Sequence, residues 1–231
     1  MKQAIKKQGS ILEQNKINIT PLDRTTATIV YIMKEVGILH YNKITYLFEY
    51  FFIKNFGERY TKEKFIKLPH GPVISNYKKQ IINLANLKLF DTDVKKISEN
   101  SSLDDAVLDR IPINENENTG KFIIKEKMVF SLLKRIIDKY GYLPKEKIEE
   151  IVYKTPPVKN YLRKVKTGFK RRETGGYILT DCIRMSDYKN PITKGRMLAL
   201  KHLQKYPHIN YKLQKELAEE FSDLEKLRPA F

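Results

Sequence analysis

The stretch Tyr41 to Phe56 constrains this chain most. Its apolar residues Ile44, Leu47, Phe48, Phe51 and Phe52 recur at three to four residue spacing and cover a broad helical face, and Gly57 offers a left-handed stop. A helix this apolar has to be buried by other elements, and its neighbours also carry helical spacing. The expected fold is therefore mainly α with a small β component.

Upstream, residues 1–20 mix Gln, Asn and Lys without periodicity and read as a flexible basic arm. From Pro21 a helix is expected, capped by Asp23 or Thr25, with Ile29, Met33 and Val36 on one face and Gly37 as its stop. Downstream, Phe65 to Leu68 reads as a short strand. Pro69-His70-Gly71-Pro72 breaks it, with Gly71 free to take positive φ and Pro72 placed to open a helix. A helix from about Ser75 to Leu87 fits Tyr77, Ile81 and Leu84. Residues 90–120 form an acidic excursion with expected strands at Ala106 to Ile111 and Phe122 to Ile124.

Three helices in tandem follow: one through Met128, Leu132, Leu133, Ile136 and Ile137 stopped near Gly141, one opened by Pro144, and one opened by Pro156-Pro157 and reaching Val165. Gly168 to Asp181 is expected to be a hairpin turned at Gly175-Gly176, and two helices, about Thr193 to Lys205 and Asn210 to Leu227, close the chain. The expected organisation is the arm at 1–20, a helical domain at 21–165, and a basic hairpin with C-terminal helices at 166–231 packed on the same domain.

Composition excludes several classes. The most apolar span, Val36 to Ile53, is interrupted by Lys43 and Glu49, so no membrane partner or span is expected. Met1 to Ser10 is basic but lacks the apolar middle of a secretory signal, so a cytoplasmic location is expected. The single cysteine, Cys182, cannot form an internal disulfide, lacks a second thiol for a zinc site, and reads as packing beside an apolar strand pattern. His40, His70, His202 and His208 show no metal spacing, and Asp91-Thr92-Asp93 reads as a solvated loop. No phosphate-binding loop, GxGxxG, GxSxG or HExxH is present, so neither an enzyme nor a metal or organic cofactor is expected.

The charge is more informative. The chain carries 44 basic and 27 acidic residues, a net +17, and the excess lies in the C-terminal half: residues 1–120 hold 18 basic and 14 acidic groups, and residues 121–231 hold 26 and 13. Between Ile151 and Arg172 there is no acid, while Lys154, Lys159, Arg163, Lys164, Lys166, Lys170, Arg171 and Arg172 alternate with Tyr153, Tyr161 and Phe169. Such a run either neutralises phosphates, with its aromatics stacking on bases or packing inward, or forms a solvated lysine-rich face. Three helices before a basic hairpin is also the order of a winged helix.

One pattern is more specific. Lys43-Ile44-Thr45-Tyr46-Leu47-Phe48, then Phe65 to Leu68 and Pro69-His70-Gly71-Pro72-Val73, then a helix containing Tyr77, resembles the Panacea domain, the family of SocA-like antitoxins. The segment from Gly141 and Leu143 through Ile148 to Pro157 is similar to the family's later helix and Pro-rich stretch, so the likeness covers about residues 25–165. Thr45 and Phe48 depart from the family pattern, and the Trp frequent in it is absent.

The resemblance implies a non-catalytic interaction module that neutralises a cognate toxin by binding it, or presents another protein partner to a protease. Its motif residues here are Lys43, Tyr46, Leu47, His70, Gly71 and Pro72, with the Gly71-Pro72 turn primarily architectural. The alternative is a winged-helix-like regulator binding DNA through residues 154–172, using Lys159, Arg163, Lys164, Lys166, Lys170, Arg171 and Arg172. Antitoxins often bind their own operators, so the two can coexist.

Overall fold

The computed structural model describes residues 19–99, 110–166 and 183–185. Helix α1, Pro21–Met33, is started by Thr20 rather than by the expected Asp23 or Thr25. Thr20 Oγ1 accepts from the Asp23 amide at 3.1 Å, and the Asp23 carboxylate accepts from the Thr20 amide at 2.8 Å. This reciprocal box satisfies two N–H groups at the helix start. The helix ends before Gly37, because Lys34 turns back at φ 64 and frees Glu35–Gly37 as strand β1. Gly37, with φ −70, is instead the N-cap of the next helix.

That helix, α2, runs Ile38–Phe56 and stops where Gly57 takes φ 74. It starts three residues earlier than its apolar pattern and is buried nearly all round. Tyr41, Ile44, Tyr46, Leu47 and Phe48 are fully buried, and so are the polar Asn42, Lys43, Thr45 and Glu49. Phe51, at one margin, is only half-buried and stacks on Tyr140 with ring centroids 6.2 Å apart.

Strands β2, Phe65–Leu68, and β3, Gly71–Ile74, form an antiparallel hairpin around Pro69-His70. Gly71 has the expected positive φ, 101, but Pro72 lies within β3 instead of opening a helix. The register explains why a proline is accepted there. Ser75 donates to the Lys64 carbonyl, so alternation puts Ile66 and Val73 in the hydrogen-bonded pair and turns the backbone of Pro72 and Ile74 away from β2. Pro72 therefore has no ladder bond to lose.

Helix α3, Tyr77–Asn86, is tied to the first two helices by one triangle: the Tyr41 hydroxyl donates to Gln80 Oε1 at 2.5 Å, Gln80 Nε2 donates to Thr26 Oγ1 at 2.9 Å, and Thr26 lies 3.1 Å from Tyr41. Strand β4, Phe90–Asp91, a short helix α4, Val94–Glu99, and strand β5, Pro112–Glu115, follow. β1, β5 and β4 form an antiparallel sheet in that order, with Val36 opposite Ile113.

The expected strand at Phe122 to Ile124 is absent. Thr119–Phe122 is a 3-10 turn, and the Ile124 amide donates to Thr28 Oγ1 rather than to a ladder. The expected strand at Ala106 to Ile111 falls mostly outside the described residues, and its last two positions precede β5 without belonging to it.

The tandem helices are α5, Lys127–Ile136, α6, Lys145–Lys154, and α7, Pro156–Lys166. α5 continues into a π turn, Ile137–Gly141, that ends near the expected stop. α5 and α6 both pack on α2, and α7 packs on α6. The expected arm lies almost wholly outside the described residues, and the Gly168–Asp181 hairpin, Cys182, His202, His208 and the two terminal helices lie wholly outside them. Ile183 and Met185 are described, and both are buried in the core.

Candidate functional site

The hairpin is held between α2 and α6, and the motif residues meet at that junction. On the outward edge of β3 lie the N–H of Ile74 and the carbonyl of Pro72. α2 meets both with consecutive side chains: Asn42 Oδ1 accepts from the Ile74 amide at 3.0 Å, and Lys43 Nζ donates to the Pro72 carbonyl at 3.1 Å. Two polar residues inside an apolar helix thus do the work of a neighbouring strand. Buried backbone groups need such partners.

Gly71 makes the approach possible. A Cβ there would lie 3.4 Å from Lys43 Cε and Nζ and 3.5 Å from the Tyr153 ring, on a backbone whose φ side chains rarely adopt. Burial pushes the Lys43 amine down to about 7 from its ordinary 10.5; Glu149 raises it in part, and Lys67 and Lys145 lower it further. Near neutral pH this amine is divided between its charged and neutral forms.

α6 clasps the tip of the hairpin from the other side. The Tyr153 hydroxyl donates to the Pro69 carbonyl at 2.6 Å, and Glu149, one turn earlier, lies 3.1 Å from His70 Nδ1. Lys67 sits 5.1 Å above the Tyr153 ring and donates to the Leu68 carbonyl at 2.6 Å. Tyr46, one turn along α2 from Lys43, meets Phe65 edge to face at 5.4 Å, and its hydroxyl lies 2.7 Å from Thr155 Oγ1 just beyond α6. Leu47 is a core residue.

The structure therefore brings Lys43, His70, Gly71 and Pro72 into one cluster with Tyr46 beside it. Reading the sequence missed Asn42, Glu149, Tyr153 and Thr155. The available signals were a polar pair interrupting the apolar face of α2, and Glu149 and Tyr153 at helical spacing. It also passed over Glu49, whose buried carboxylate accepts from Arg59 Nε at 3.0 Å, from the Thr61 amide at 2.9 Å and hydroxyl at 3.0 Å, and from the Lys62 amide at 3.3 Å. This one side chain gathers the loop between α2 and β2.

The basic segment is placed differently. Lys159 and Arg163 are exposed on α7, and Lys154 pairs with Glu150 at 2.7 Å. Lys164 and Lys166 belong to α7 as backbone, while Lys170, Arg171 and Arg172 lie outside the described residues. Tyr153 and Tyr161 pack inward against the core. Among the described residues no three His, Cys, Asp or Glu side chains gather as a metal would require, and no helix is long and apolar enough to cross a membrane.

The chemistry of the cluster is that of a clasp: a buried amine, a carboxylate, a phenol and an imidazole are spent on backbone carbonyls and on one another, with mixed charge at the rim. It defines a helical module whose hairpin is locked onto its central helix. A family model described as the antitoxin SocA-like Panacea domain matches residues 42–157. That is half of the chain, from Asn42 to just past Thr155, and it holds the whole clasp. The chain belongs to this family. No curated protein and no solved structure matches it.

Proposed function

We propose that the protein is an antitoxin-like interaction module that acts by binding a protein partner, neutralising a cognate toxin directly or presenting a bound partner to a protease, without catalysis of its own. One observation carries this reading: the family match spans the entire clasp. The hydrogen bonds of the clasp support it, since they hold a rigid surface in place. Fold likeness does not name the toxin.

The test is a growth assay in which the gene beside this one is expressed with and without this chain, followed by co-purification. Rescue of growth with a stoichiometric complex is the expected result. Rescue that disappears in a host lacking its energy-dependent proteases favours presentation over direct neutralisation. A toxic neighbour that is neither bound nor neutralised would overturn the reading.

The exposure of Lys159 and Arg163 on an acid-free helix supports a second reading, contact with duplex DNA by residues 154–172. With about four to six phosphate contacts, log K falls with log salt at a slope of about −4 to −5. Replacing Lys164, Lys166, Arg171 and Arg172 together by Gln should remove most of that slope. Fluorescence anisotropy showing no binding at about 50 mM salt would leave protein binding as the sole activity.

A further inference from the structure

We draw no further inference here: the strongest candidate, the cluster of Lys43, Lys67, His70, Lys145 and Glu149 where the hairpin meets α2 and α6, belongs to the clasp already described, and only the lowered titration of the buried Lys43 amine sets it apart.

Discussion

Replacing Lys43 by Met removes a buried amine and keeps an unbranched side chain of similar course along α2. The amine titrates at about 7 in the folded chain and at 10.5 when unconstrained. Between those values the unfolded chain holds a proton that the folded chain has released, so stability rises with pH across the window and levels off above the upper value. Each unit of displacement is worth about 1.4 kcal/mol, so from pH 7 to pH 9 the protein should gain roughly 2 to 3 kcal/mol from this group alone.

Lys43→Met lacks that gain. It also leaves the Pro72 carbonyl without its donor, a loss of about 1 to 3 kcal/mol that does not vary with pH. Urea unfolding followed by circular dichroism at several pH values, on both proteins, separates the two contributions, because every other group titrates alike in each. The parent's stability minus that of Lys43→Met should rise by roughly 2 to 3 kcal/mol from pH 7 to pH 9, whichever of the two is the more stable at pH 7. Parallel curves would refute the reasoning and show that the amine is better solvated than its burial implies.

Gly71→Val forces a β-branched side chain onto a backbone at φ 101 and against Lys43, so it should cost more than about 1 kcal/mol, read as a lower urea midpoint; an unchanged midpoint would mean the turn has no such requirement. Glu49→Ala leaves Arg59 and the Thr61 amide without their shared acceptor and should cost roughly 3 kcal/mol, with faster hydrogen exchange confined to residues 57–64. Tyr46→Phe breaks the bond to Thr155 and should cost about 1 kcal/mol, visible as a small drop in thermal midpoint without change in secondary structure. Burial pushes the Tyr41 and Tyr60 hydroxyls above their ordinary 10.0. The unfolded chain therefore ionises first, and stability should fall as pH rises beyond about 10, the fall being smaller in Tyr41→Phe.

Much of the helical frame was legible in the sequence. The face of Ile44, Leu47 and Phe48, the stop at Gly57, the strand at Phe65–Leu68 and the starts near Pro144 and Pro156 all rest on relations within a few residues. Periodicity, caps and proline geometry act at that range. The clasp was half legible: Lys43, His70, Gly71 and Pro72 stood out as a motif, but the reason for them did not. Asn42 and Lys43 serve carbonyl and amide groups about thirty positions away, and their value appears only once β3 turns its free edge toward α2.

Strands of two to four residues carry almost no local signal. β1 exists because Val36 finds Ile113 opposite it, and that pairing made Lys34 rather than Gly37 the residue that takes positive φ. Ile183 is the extreme case. Nothing near it in sequence marks it as a partner of Phe65, more than a hundred residues earlier. Local rules chose the elements, and closure of the tertiary structure chose which edges remained to be filled, because a backbone donor or acceptor has no fixed partner until the chain has folded around it.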